Sequence, residues 1–396
     1  MEEKYHVEVS HFQYNHQGEK ICGDVFLSKR IRDENRVLVA LSDGMGHGVK
    51  ANILATLTAT ISINLLQEHK NANTIAEIIM KALPVCSERN ISYATYTLVD
   101  IMIDDDLVNI LEFDNPQTII MREKFIYEPN RELVVLENQN TDKREQDLRT
   151  CSFTPQIEDR IIIVSDGIVQ SGLGFGLTTG WGRNNLIEYI RDLLEANPNI
   201  SGSNLAEKIV KTASANDLHN PKDDLTCSVI YFREPRRTML CTGPPFNMEK
   251  DGEFAQKLQE FQGRKVISGA TTSEIISREL RRSITDETIV DSSLPPSSKM
   301  EGIDLVTEGV LTLNKVIRLL EAIKNPFLEL GRGPADQMCQ ILLDSDEIFI
   351  LVGTKINESH HDPTMPIEIE IRRTLIQRLQ NVLWNKYMKV VKIEFM

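Results

Sequence analysis

The sequence predicts two folded units of different class: an α+β unit over residues 1–235 and an α/β unit with a mainly parallel sheet over residues 236–396. Three observations lead there. At 396 residues the chain exceeds what one ordinary hydrophobic core organises. Up to about residue 233, short apolar runs crowd together with helical segments inserted among them. Beyond the charged, proline-containing stretch Arg233-Glu234-Pro235-Arg236-Arg237 the rhythm changes, and strand-like and helix-like segments alternate. Alternation of that kind predicts a parallel sheet covered on both faces.

In the first unit, Val37-Leu38-Val39-Ala40-Leu41 reads as a buried strand. Over 49–66, Ile53, Leu54, Leu57, Ile61 and Leu65 recur at helical spacing, which predicts a helix that buries them. A second helix is expected over 74–89, then strands at 96–103, 107–113 and 118–121. The polar stretch 137–149 reads as a solvated connection. A strand at 160–164, helices at 186–196 and 203–215, and a strand at 225–232 complete the unit. In the second unit, strands at 238–241, 265–267, 302–306, 347–352 and 390–395 are expected. Helices at 252–262, 273–282, 313–323, 335–343 and 366–387 separate them.

Composition narrows the function. A net charge of −14 argues against a nucleic-acid binder, which needs a basic face to neutralise phosphates. Six cysteines lie scattered, without CxxC pairs or a Cys/His cluster, so neither a disulfide framework nor a thiolate metal site is expected. The N-terminal residues lack a signal-peptide pattern, and no apolar stretch approaches the roughly 20 residues that span a bilayer. The expectation is a cytoplasmic protein with no membrane partner.

The chemistry is carried by aspartates at strand ends. Leu38-Val39-Ala40-Leu41 runs into Ser42-Asp43-Gly44, and Ile161-Ile162-Ile163-Val164 runs into Ser165-Asp166-Gly167. Each copy places an acid after a buried strand, followed by a glycine that lets the backbone turn or approach an ion. Gly23-Asp24 precedes Val25-Phe26-Leu27, and Asp223-Asp224 precedes the strand that begins at Leu225. One such acid is ordinarily a turn or cap residue. Four acidic elements in order can converge at one rim of a sheet, where Mg²⁺ or Mn²⁺ finds oxygen ligands.

Gly23-Asp24, Ser42-Asp43-Gly44-Met45-Gly46-His47-Gly48, Ser165-Asp166-Gly167 and Asp223-Asp224-Leu225-Thr226 resemble the ordered motifs of the PPM metal-dependent serine/threonine phosphatases. The Asp-Gly-Met-Gly-His-Gly form is closest to the bacterial SpoIIE-like branch. The resemblance covers about residues 10–233 and implies a β-sandwich flanked by helices. It further implies that Asp43 bridges two ions, Mn²⁺ or Mg²⁺, with the Gly44 carbonyl as a ligand of one. Asp166 and Asp223 would complete the other ion's shell, Asp24 would hold a coordinated water, and Asp224 would stand behind the ligands. Two positions depart from the animal-type pattern. No arginine lies in Gly18-Glu19-Lys20-Ile21-Cys22, and Met45 replaces a histidine, as in the SpoIIE-like branch. His47 either serves the leaving oxygen or caps the following helix. The glycine-rich segment from Ser171 to Gly182 is either a gate beside the site or a plain connection.

The second unit says less. Glycine turns follow strands at 242–245, 268–273, 307–309 and 353–355. Ser268-Gly269-Ala270-Thr271-Thr272-Ser273 opens a helix, and Gly269, Thr271 and Thr272 are candidates for holding a small anionic ligand. The alternative is that Thr272 or Ser273 simply caps that helix. Neither a Walker sequence nor GxGxxG is present. His360-His361-Asp362 reads as a solvated loop. The favoured function is hydrolysis of phosphoserine or phosphothreonine on a regulatory protein, with the second unit regulating it or selecting the substrate. By resemblance, that substrate is of the kind that controls anti-sigma factors. The rivals are a metabolite-binding sensor whose first unit is a binding module, and a phosphatase of small phosphate esters.

Overall fold

The computed structural model describes residues 4–82, 94–133, 148–286, 295–322, 330–355 and 367–396. The chain divides into two compact units, Met1–Glu234 and Pro235–Met396.

The first unit is built on two antiparallel sheets. One has six strands in the order β2 (Asp24–Ile31), β3 (Arg36–Gly44), β4 (Ala94–Met102), β5 (Leu107–Phe113), β9 (Leu148–Phe153) and β8 (Arg131–Leu133). The other has five, in the order β1 (His6–Tyr14), β11 (Leu225–Arg233), β10 (Asp159–Val164), β6 (Ile119–Arg122) and β7 (Phe125–Ile126). Side chains alternate across each strand, so β3 sends Val37, Val39 and Leu41 toward Ile161, Ile163 and Ile230 of the other sheet. Leu38 and Ala40 face the opposite way, toward α1 (Gly48–Gln67) and α2 (Ala72–Ala82). On the far side, Ile162, Val164, Cys227 and Val229 pack with α4 (Arg183–Ala196) and α5 (Gly202–Asn216). The result is the helix–sheet–sheet–helix sandwich expected. Each aliphatic side chain fully buried in these layers contributes about 1.5–3 kcal/mol.

Helix α1 corrects two sequence expectations. Its buried residues are Gly48, Ala51, Ala55, Thr58, Ala59, Ser62, Ile63 and Leu66, whereas Ile53 and Leu57 are 53% and 48% exposed. Ile53 and Leu57 therefore lie off the core face, while Ile61 and Leu65 pack half-buried against it and Ile63 and Leu66 are buried. The helix approaches β3 so closely that only small residues fit beneath it: a Cβ on Gly44 would collide with the Ala51 backbone. The same helix is, by length and composition alone, long and apolar enough to cross a membrane, contrary to the expectation that no stretch is. The second helix is described as far as Ala82, so the remainder of the 74–89 expectation lies outside the described residues, as does 137–147. Strand β1, paired along its whole length with β11, had no clear signal in the sequence.

The second unit has a seven-stranded sheet in the order β14 (Ile284–Asp286), β15 (Ser298–Met300), β16 (Ile303–Thr307), β13 (Arg264–Ser268), β12 (Arg237–Thr242), β17 (Glu347–Val352) and β18 (Val390–Phe395). From β16 to β18 every pairing is parallel; the edge strands β14 and β15 are antiparallel and were not anticipated. Helices α6 (Asp251–Glu260) and α7 (Ala270–Leu280) pack on one face, with Cys241, Ile267 and Val306. Helices α8 (Val310–Ala322), α9 (Pro334–Asp344) and α10 (Ile367–Asn385) cover the other, with Leu240, Val266 and Ile350. His360-His361-Asp362 lies outside the described residues.

Candidate functional site

The strand ends of the first unit gather the predicted acids. Asp24 opens β2 and stands in register opposite Asp43, near the end of β3. In the other sheet β10 and β11 are antiparallel neighbours, so the end of one adjoins the start of the next. Beyond β10, Ser165 N–H donates to Thr226 O (3.0 Å), and Thr226 N–H donates back to Ser165 Oγ (3.0 Å). That clasp brings Asp166, the first residue of the short helix α3 (Asp166–Gln170), beside Asp223 and Asp224. Gly167 is required there, because a Cβ would collide with Asp224 O and lie 3.2 Å from the Asp223 Cβ.

The serines of the two Ser-Asp-Gly copies have a shared task. Both are fully buried, and each hydroxyl donates to a backbone carbonyl, Ser42 to Thr95 O (3.0 Å) and Ser165 to Asp224 O (3.3 Å). Each therefore holds its aspartate's backbone against the next segment. Asp224 organises the approach to the site. Its Oδ1 accepts from His16 N–H and its Oδ2 from Gly23 N–H, both at 2.8 Å, which ties the 16–23 loop down and sets Asp24 in place.

The electrostatics are those of crowded acids. Burial raises the pKa of Asp43, and the charges of Asp24, Asp166 and Asp223 raise it further, with a hydrogen bond to Asp166. Burial also raises Asp24; the Thr226 and Ser165 hydroxyls offset part of this, while Asp224 and Asp223 add to it. Asp223 is pushed up to about 6, by burial and then by Asp166. Asp24 is 2% exposed, and neither carboxylate oxygen has a hydrogen-bond partner in good geometry. Buried carboxylates without donors cost several kcal/mol unless a positive charge meets them. A divalent cation among oxygen ligands answers that need, so the donor set fits Mg²⁺ or Mn²⁺. Among the described residues no three His, Cys, Asp or Glu side chains are drawn into a closed ligand shell. The acids share one edge without clasping a common point.

His47 stands at the N-cap position of α1 but makes no capping bond. Its Nδ1 lies 2.7 Å from Glu19 Oε1, and its ring stacks on His16 at 4.4 Å between centroids. His16 and Glu19 were not singled out in the sequence, since neither belongs to a strand-end acid pattern. The 171–182 segment is fastened beside Asp166: Gly172 N–H donates to Asp217 Oδ1 (2.6 Å), Gly182 N–H to Val169 O (2.8 Å) and Lys222 Nζ to Leu173 O (3.1 Å). Gly269, Thr271 and Thr272 belong to the second unit.

The model of the Stage II sporulation protein E (SpoIIE) family matches residues 33–233, more than half of the chain. The chain belongs to the SpoIIE family. Among solved structures, the PP2C phosphatase domain of Bacillus subtilis SpoIIE with a fragment of its regulatory domain is similar at 18% identity, over 58% of this chain and 64% of that one, with a TM-score of 0.48. This member of the SpoIIE family thus spans under two thirds of that structure. RsbX in complex with magnesium is similar at 20% identity (59% of this chain, 98% of that one, TM-score 0.39). The PP2C domain of SiaA from Pseudomonas aeruginosa is similar at 17% identity (56% and 85%, TM-score 0.41). No curated protein matches the chain.

Proposed function

We propose that the first unit hydrolyses phosphoserine or phosphothreonine on a regulatory protein, with two divalent cations, Mn²⁺ or Mg²⁺, at the acidic edge. The observation that carries this reading is Asp24, buried with both oxygens unpaired and set in register opposite Asp43 in a SpoIIE-family domain. Asp43, the Gly44 carbonyl, Asp166 and Asp223 would hold them. Bound there, the cations supply a water of lowered pKa and neutralise charge on the phosphoryl oxygens. The chain's own residues do the rest. Asp24 orients the attacking water in line with phosphorus. Asp224 holds the His16–Gly23 loop and so keeps Asp24 facing Asp43. Ser42 and Ser165 fix the backbone at the two central acids. His47, oriented by Glu19, gives a proton to the leaving serine or threonine oxygen.

The test is hydrolysis of a phosphoserine peptide by purified protein across a manganese titration. Turnover should appear with manganese, and Asp43→Asn or Asp166→Asn should each lower it about 10²–10³-fold, the scale of losing one group that stabilises transition-state charge. Normal turnover by either variant at modest manganese would refute the assignment. Preference for sugar phosphates over the peptide would move the reading to small phosphate esters.

A further inference from the structure

We propose that the second unit binds a phosphorylated, hydroxyl-bearing small molecule where the N-termini of α7 and α8 meet. The two helices cover opposite faces of the sheet, yet they start side by side, because β13 and β16 are parallel neighbours. Gly269 and Gly309 open them with φ of +136° and +146°, conformations open to glycine and not to L side chains. A Cβ on Gly309 would lie 3.2 Å from the Gly269 Cα, and Gly269 N–H donates to Thr307 O (2.9 Å). Two first turns, each with N–H groups lacking intrahelical partners, thus share one spot at the carboxyl end of the sheet. Neither first turn holds an acidic residue, and Gly269 supplies no side-chain cap.

Helix ends alone would not make a site. The second observation is a pair of buried, unpaired hydroxyls. Thr272 and Thr312, the third residues of their helices, are 1% and 0% exposed, and neither Oγ1 has a partner. A hydroxyl buried in that state has given up its water without a replacement. Thr272 Oγ1 faces the flank of Gly269, 2.9 Å from where a side chain would begin. The nearby strand-end hydroxyls are engaged differently: Thr307 Oγ1 donates to Ser268 Oγ (3.3 Å), which donates to Gly309 O (3.4 Å), binding the two turns together. The paired turns are structural, and the threonines are left for a ligand. This answers the capping alternative for Thr272, whose hydroxyl caps nothing.

Glu308 decides the ligand's class. Its Oε2 is buried without a partner, directly before Gly309. A carboxylate there repels a bare anion, but it accepts a hydrogen bond from a hydroxyl on the same molecule. Phosphoryl oxygens on the helix ends and a sugar hydroxyl on Glu308 satisfy all three orphaned groups. The usual ligand crevice of such a sheet, between β12 and β17 where strand order reverses, is occupied by the protein itself. There Lys355 N–H donates to Pro244 O (3.0 Å), Gly353 N–H to Thr242 O (2.9 Å), and Arg372 Nη1 to Gly353 O (3.4 Å).

The experiment is a thermal-shift titration of the full chain in EDTA, which keeps phosphate from being held through cations at the acidic edge. Inorganic phosphate, ribose 5-phosphate and ribose are the probes. Ribose 5-phosphate should raise the melting temperature by about 2–4 °C or more, phosphate by less, and ribose not at all. Thr272→Val with Thr312→Val should melt at or above the unsubstituted protein and lose the shift. Glu308→Leu should reduce the ribose 5-phosphate shift to that of phosphate. Ala270→Glu, at the exposed start of α7, favours the helix but should weaken binding at least tenfold, and it serves if the valines impair folding. No shift with either phosphate, or a shift that the double valine variant and Ala270→Glu both keep, overturns the proposal.

Discussion

The two ends of the same strands in the first unit treat buried acids in opposite ways. At one end Arg36, which opens β3, grips Asp100 through two bonds of 2.6 Å and also donates to Leu66 O. In the other sheet Arg122 grips Asp159 through two bonds of 2.9 Å. At the other end, Asp43 on β3 and Asp166 beyond β10 face further aspartates, and each carboxylate makes its neighbours harder to ionise. Asp100 and Asp159 are buried and Asp24 with them, while Asp43, Asp166 and Asp223 are half-buried; what separates the two ends is the partner. Acids matched by guanidinium groups hold the sandwich, whereas unmatched acids keep their affinity for something that arrives from outside. A fold can tolerate the second kind because the first kind, and the apolar layers between, keep the strands in register.

That contrast predicts opposite signs for similar substitutions. Asp100→Ala strands a buried guanidinium and should destabilise the first unit by about 3–5 kcal/mol, read by urea unfolding, while the folded fraction retains its turnover. A loss under 1 kcal/mol would show that the bonds of Arg36 to Leu66 O and Glu34 suffice without Asp100. The junction between the acidic edge and α1 should be nearly as sensitive. Ala51→Leu overfills the space where the Ala51 side chain meets Gly23, next to Asp24, should cost about 1–3 kcal/mol, and should raise the manganese needed for half-maximal turnover. Its control is Leu57→Ala on the exposed face, expected within about 0.5 kcal/mol; equal effects of the two would return Leu57 to the core face. The smallest effect has the reverse sign. In EDTA, Asp43→Asn should stabilise the protein by about 1 kcal/mol, the worth of one pKa unit of crowding. A destabilised Asp43→Asn protein under those conditions would mean that the carboxylate already has a favourable partner.

What the sequence discloses depends on which physical signal each feature leaves. Val37–Leu41 and the strand–helix alternation after residue 236 are legible because burial on both faces writes continuous apolar runs. Asp24, Asp43, Asp166 and Asp223 are legible because acids at strand ends followed or preceded by glycine form a repeated pattern. The face of α1 is not, since hydrophobic spacing ranks residues by size, while a close helix-to-sheet approach selects Ala51, Ala55 and Ala59 for smallness. The His16–His47–Glu19 group is illegible for another reason: residues about thirty positions apart meet through a stacking contact and one hydrogen bond, neither of which leaves a period. Likewise Thr272 and Thr312 read as ordinary helix starts until their hydroxyls are seen to be buried without partners.

The pairing of β1 with β11, from His6 opposite Arg233 to Tyr14 opposite Leu225, bears on how the molecule comes into being. The first strand of the unit finds its neighbour only when the last one exists. During synthesis β1 therefore emerges long before its partner, and its row of backbone donors and acceptors stays exposed on the nascent chain, open to wrong pairings. Asp24 waits as long for Asp223 and Asp224, which leave the ribosome just ahead of the closing strand. Contacts this distant in sequence make for slow closure, and the acidic edge assembles in the same step that completes the sandwich. A stalled or truncated chain ending before Leu225 lacks the strand that joins β1 to β10, and with it the frame that holds the acidic edge together.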